Sequence, residues 1–118
     1  HLSGGWAIMG MIEALNRGVH AFIPSTMEVI YNKIYNLYSE KKIENARTLF
    51  AQIMPVLSFT HQHIDISIKF SKMLRVKEEI FNTNFCREPI KNFDQFQTQE
   101  ASLHIRKVLD LQNSLNNN

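Results

Sequence analysis

Leu2-Ser3-Gly4-Gly5, followed after one apolar segment by Val19-His20-Ala21-Phe22-Ile23-Pro24-Ser25, is the stretch that decides the fold. Five residues rich in apolar and β-branched types, stopped by Pro24, have the profile of a short strand buried on both faces. Between the two runs, Trp6, Ile8, Met9, Met11, Ile12 and Leu15 crowd a segment that closes on Asn16-Arg17-Gly18, the pattern of a helix with a glycine stop. A helix feeding a strand reads as an α/β unit.

Ser25 and Glu28 stand at the spacing where a hydroxyl accepts from the third helical amide while the carboxylate reaches back to the cap amide. A helix is therefore expected from Ser25, with Val29, Ile30, Ile34, Leu37 and Tyr38 on one face until Ser39-Glu40-Lys41-Lys42 breaks the pattern. Ile43, Ala46, Leu49, Phe50, Ile53 and Met54 mark a second helix, so the two form an antiparallel hairpin. Pro55 removes a donor and crowds the preceding turn, which predicts a kink or restart. Over residues 57–74 two periods compete. Ile64, Ile66, Ile68 and Phe70 alternate with polar residues as in a strand, whereas Leu57, His61, Ile64, Ile68 and Met73-Leu74 fit a helical stripe. The helix is preferred because no strand at hairpin spacing lies nearby. Residues 82–93 hold Cys86, Arg87 and Pro89 without a period and read as an ordered loop. Ala101, Leu103, Ile105, Val108, Leu109 and Leu111 form a last helix, and Asn116-Asn117-Asn118 is expected to fray.

Thirteen Lys and Arg against eleven Asp and Glu leave a formal charge of +2, and the charges are scattered, so no field that gathers nucleic acid is implied. Cys86 is the one cysteine; no intrachain disulfide can form, which fits a reducing compartment and a cytoplasmic location. No apolar run reaches the roughly 18 residues of a membrane span, and residues 1–5 lack the basic and apolar regions of a secretory signal, so a soluble protein with no membrane partner is expected. The chain opens on His1 without an initiator Met, which reads as a start inside a domain. One strand among several helices has no ladder partner for its backbone, and a missing upstream portion explains that oddity.

Isolated chemistry is sparse. His61, His63 and Asp65 are residue types that zinc accepts, but positions two apart point about 200° apart around a helix, so no metal site is expected. Cys86 beside Arg87 lacks a suitably spaced histidine and reads as inert. Tyr31, Tyr35 and Tyr38 share a helix surface that either packs on the carboxy-terminal helices or meets another subunit.

Leu2-Ser3-Gly4, Arg17-Gly18, the strand over residues 19–23 and Ser25 resemble the seventh and eighth βα units of the dihydrodipicolinate synthase and N-acetylneuraminate lyase family. Ile34-Tyr35-Asn36-Leu37-Tyr38, Ala46-Arg47 with Leu49-Phe50, Met54-Pro55 and Lys72-Met73-Leu74 look like its eighth helix and helical extension, and Arg87-Glu88-Pro89 like its closing Arg-x-Pro element. The resemblance implies an α/β parent, a (β/α)8 TIM barrel with a C-terminal helical extension. Residues 1–40 would be the last βα units, residues 41–118 the extension, and this chain itself mostly α-helical with one or two short strands.

By the same resemblance the parent is a lyase or aldolase whose strand-six lysine forms a Schiff base with pyruvate or another 2-oxo acid, without a cofactor, in a homo-oligomer, dimer or tetramer. That lysine must be neutral to attack, which requires desolvation or a nearby positive charge. Lys33, Lys41, Lys42, Lys69, Lys72, Lys77, Lys91 and Lys107 all read as residues of solvated faces, so the chain is expected to hold no catalytic residue and to be inactive alone. Barrel sites lie at the carboxy-terminal ends of strands. The substrate-binding residues the resemblance implies here are therefore Ser3 and Gly4, where backbone would lie against the 2-oxo acid, and Gly5 and Trp6, where relatives, as at Ala7, often place acidic side chains. Ser25 and His20 complete the set. Each has a plainer reading: Gly4 and Gly5 as a turn, Trp6 as packing, His20 as a satisfied core residue and Ser25 as a helix cap. The alternative to the enzyme fragment is a free-standing helical module that binds a partner through its apolar faces.

Overall fold

The computed structural model describes residues 1–117, with Ala7 described through its backbone alone. In chain order it comprises strand β1 (Ser3–Gly4), a 3-10 turn (Ala7–Gly10), helix α1 (Met11–Asn16), strand β2 (Ala21–Phe22) and helices α2 (Glu28–Ser39), α3 (Ile43–Thr60), α4 (Ile64–Lys77) and α5 (Gln95–Asn116). The chain is mostly helical with two short strands, which pair in parallel with Ser3 opposite Ala21 and Gly4 opposite Phe22. It divides into two compact units, the first His1–Met54 with Leu111–Asn118 and the second Pro55–Asp110. Helices α2 and the start of α3 bury their apolar stripes within the first of these.

In the first unit Met11, Ile12 and Leu15 of α1, Ile30 and Ile34 of α2, and Leu49 and Ile53 of α3 are buried. The glycine stop forms as read. Gly18 sits at φ 81, its N–H bonds Leu15 O at 3.0 Å, and Val19 N–H bonds Ala14 O at 3.0 Å, the paired bonds that close a helix through a left-handed residue. The same closure ends α2 at Lys41 (φ 66) and α4 at Glu79 (φ 60), where no glycine announces it. The capping box expected at Ser25 does not set the helix start. The cap residue of α2 is Met27, at φ 64 and with no side-chain cap bond. A left-handed methionine costs about 1–2 kcal/mol. Met27 is only 2% exposed, and full burial of its side chain stabilises by about 1.5–3 kcal/mol, which offsets that strain.

One expectation about this unit needs correction. The segment over residues 19–23 is not buried on both faces: Ala21 is exposed, Phe22 half-buried and Ile23 69% exposed. Each tyrosine of α2 has a partner within the first unit. Tyr31 is buried beside Met27 Sδ, Tyr35 donates to His20 O at 3.1 Å, and Tyr38 donates to Asn16 Oδ1 at 2.6 Å. Burial pushes the Tyr31 hydroxyl far above its ordinary value. Helix α5 ends at Asn116, and Asn118, the last of the residues expected to fray, lies outside the described residues.

The second unit is built on Phe59. Its ring lies 6.1 Å from Phe70 and 5.9 Å from Phe93, both edge-on, and 5.3 Å from the tilted ring of His104. The choice of helix for residues 64–77 holds, and Pro55 sits inside α3 without ending it. Lys69 departs from the sequence reading. It is a buried residue, not one of a solvated face, and its ammonium reaches Asn84 O and Asn84 Oδ1 at 3.1 Å and Asn92 Oδ1 at 3.5 Å. Three neutral oxygens match its three donors, so the buried charge is satisfied and residues 84 and 92 are tied to α4. Lys72 adds a bond to Phe85 O at 2.8 Å. Arg75 and Glu78, both largely buried, pair at 2.9 Å.

Helix α5 starts at Gln95, six residues before Ala101, where its apolar pattern begins, at a cap the apolar pattern does not mark. Gln97 N–H donates to Asp94 Oδ1 at 2.8 Å while Asp94 N–H donates to Gln97 Oε1 at 3.1 Å, a reciprocal box. Asp94→Ala should lower unfolding free energy by about 1 kcal/mol, measured by urea titration. A pH dependence follows from the two half-buried histidines of this unit. Burial holds His61 and His104 below the ordinary 6.5; at His104 it outweighs the attraction of Glu100, 3.8 Å away, and Lys107 pushes the same way. The native state favours neutral rings, so stability present above the unfolded value is lost as pH falls through the lower folded values. Thermal melts from about pH 8 down to about pH 5 should show that loss, and His104→Phe should reduce it.

Candidate functional site

Parallel strands cannot be joined by a tight turn, so residues 5–20 cross over through the 3-10 turn and α1 before β2 begins. The consequence is that both strands end on the same side. Gly5 and Trp6 leave β1 there, and Ile23, Pro24 and Ser25 leave β2 there. Five of the six residues named from the sequence, Ser3, Gly4, Gly5, Trp6 and Ser25, therefore belong to the carboxy-terminal end of the strand pair or lie just beyond it.

His20 does not. It precedes β2, at the amino-terminal end, where its Nδ1 accepts from Leu2 N–H at 3.2 Å and its ring meets that of His1 edge-on at 5.1 Å. It is exposed, so it is not a core histidine either.

The remaining five offer hydrogen bonding and stacking, and no acid, base or nucleophile beyond a serine hydroxyl. Gly4 is buried and its carbonyl accepts from Ile23 N–H at 3.2 Å, which commits that oxygen to the strand pair. A Cβ on Gly5 would meet nothing within 4 Å, so this chain places no packing demand for glycine there. Trp6 is 51% exposed at the start of the 3-10 turn, and the packing role is not the whole of its surroundings. Ser3 and Ser25 are exposed. The side chain of Ala7 lies outside what the structure describes.

A feature the sequence did not signal is a recess of about 310 Å³ beside β2, lined by Ala21, Phe22, Pro24, Met11, Tyr31 and Tyr35 among others. The tyrosine spacing located α2 but not the partner of Tyr35, the His20 carbonyl. His61, His63 and Asp65 do not converge. His63 caps α4, its Nδ1 accepting from Asp65 N–H at 3.2 Å. Among the described residues no group of three His, Cys, Asp or Glu side chains stands close enough to hold a metal ion, and no helix is long and apolar enough to cross a membrane. Cys86 is a buried free thiol whose Sγ lies 3.6 Å from Asn84 O.

The chain matches no protein-family model, no curated protein and no solved structure.

Because Gly5 has open space around its missing Cβ, Gly5→Ala should shift the unfolding free energy by less than about 0.5 kcal/mol in a denaturant titration. A larger loss would show that the backbone at this corner is constrained in a way its surroundings do not reveal.

Proposed function

We propose that this chain is the carboxy-terminal part of a Schiff-base lyase or synthase of the dihydrodipicolinate synthase and N-acetylneuraminate lyase family, acting on pyruvate or another 2-oxo acid. The observation that carries the reading is the parallel β1–α1–β2–α2 arrangement, whose shared carboxy-terminal end collects Ser3, Gly4, Gly5, Trp6 and Ser25. It supports the ordered residue agreement over residues 2–111, because barrel enzymes build their sites from the loops at that end of successive parallel strands.

In this reading the chain contributes pocket wall. Ser3 and Ser25 supply hydroxyls, Gly4 and Gly5 admit the substrate close to the backbone, and Trp6 offers an aromatic face to an apolar portion of the substrate. The absence of carboxylates at Gly5 and Trp6 makes a substrate rich in amino or hydroxyl groups a poorer fit. The nucleophile comes from outside these residues. Lys33 lies in α2, Lys41 and Lys42 in the turn after it, Lys69, Lys72 and Lys77 in α4, Lys91 in the loop and Lys107 in α5, so no lysine stands on either strand. A lysine amine on a preceding strand attacks the 2-oxo carbon and expels water to give the imine. His20, at the opposite end of the pair, takes no part.

Incubating the full-length protein with pyruvate and then borohydride should trap a covalent adduct on a lysine upstream of these residues, detected by intact mass and peptide mapping. The 118-residue chain treated in the same way should keep its mass. An unchanged mass for the full-length protein overturns the proposal and leaves the helical interaction module.

A further inference from the structure

We infer that Ile23 selects the aldehyde partner of the 2-oxo acid and that this partner is apolar; the chemistry rests on the Schiff-base reading, and the selectivity on the face that Ile23 occupies. Ser3 opposite Ala21 is an exposed pair, whereas in the next pair Gly4 is buried and Phe22 half-buried. Successive strand residues turn to opposite faces, so one face of the strand pair is covered within this unit and the other is open. Ile23 N–H donates to Gly4 O at 3.2 Å, which carries the parallel register one step further and sets Ile23 beside Gly5. Ile23 therefore shares the open face with Ala21, and its side chain is 69% exposed. It stands at the carboxy-terminal end of the strands, where barrel enzymes hold substrate.

The other residues of that face are small. Ser3 and Ala21 are short side chains, and a Cβ on Gly5 would meet nothing within 4 Å. Barrel interiors are ordinarily filled by bulky branched side chains, so this set leaves room for a ligand and makes Ile23 its apolar wall. Trp6, 51% exposed, follows Gly5, and residues 1–12 and 18–27 contain no Lys, Arg, Asp or Glu. In Schiff-base chemistry the imine of pyruvate loses a methyl proton to give an enamine, whose carbon attacks the aldehyde carbonyl. The new carbon–carbon bond leaves an alkoxide that takes up a proton, and water then frees the lysine and a 4-hydroxy-2-oxo acid. The aldehyde's substituent is what distinguishes one such product from another. A hydroxyl set against Ile23 leaves water without gaining a partner, whereas an alkyl group there is favoured by leaving water.

The test supplies the full-length protein with pyruvate and either glyceraldehyde or 2-methylbutanal, which carries a methyl group in place of each hydroxyl of glyceraldehyde. Formation of the 4-hydroxy-2-oxo acid, followed by mass spectrometry, gives kcat/KM for each aldehyde. The native protein should favour 2-methylbutanal by at least about tenfold. Ile23→Asn should reduce that ratio about tenfold while borohydride trapping of pyruvate and helical circular dichroism are kept, and Ile23→Leu should retain the preference. A native protein that traps pyruvate yet favours glyceraldehyde, or turns over neither aldehyde, overturns the inference. So does a ratio that Ile23→Asn leaves unchanged. A native protein that traps no pyruvate overturns the Schiff-base reading itself, and the selectivity falls with it.

Discussion

The parallel direction of β1 and β2 is the constraint from which the first unit follows. Two parallel strands need a crossover, and residues 5–20 supply it. Once α1 lies in that crossover, Met11, Ile12 and Leu15 must be covered, and the stripe of Ile30 and Ile34 on α2 is in the same buried set. The same direction places the carboxy-terminal ends of both strands together, which is the geometric basis of the candidate site. It also separates His20 from that site, since a residue before a parallel strand lies at the end opposite to one that follows it.

In the second unit the organising interaction is the burial of an ammonium. A charged group removed from water costs several kcal/mol unless its donors are matched, and a buried one left unmatched would not persist. Lys69 meets three oxygens from Asn84 and Asn92, and in doing so gives a loop without a regular period fixed points of attachment. The aromatic set around Phe59 then closes on Phe93 at the end of the same loop. Neither interaction belongs to the proposed chemistry. They explain why residues without secondary structure are held in place beside a helical scaffold.

Much of the architecture was legible because helix and turn signals are local. The stripe on α2, the glycine at Gly18 and the period that favoured a helix over residues 64–77 all act within one or two turns of chain, and each appears in the structure. The missed cap at Asp94 and Gln97 was equally local; its signature stood in the sequence with an aspartate in place of the usual hydroxyl residue. The strand over residues 19–23 was recognised in position and misjudged in burial, because apolar composition states what a segment can bury and not whether a second layer covers it.

By itself the sequence determined the order of the helices, the position of β2 and the glycine closure after α1, whereas the lone strand it implied finds its ladder partner in β1. Tertiary structure alone decided that Met27 rather than Ser25 caps α2, that Lys69 is buried, and which end of the strand pair His20 occupies. The physical reason is range. Caps and amphipathic stripes are set by neighbours within about four residues, whereas Lys69 and Asn84 are 15 residues apart, and Tyr38 and Asn16 are 22. Whether a polar group can leave water depends on partners that only the folded chain brings within reach.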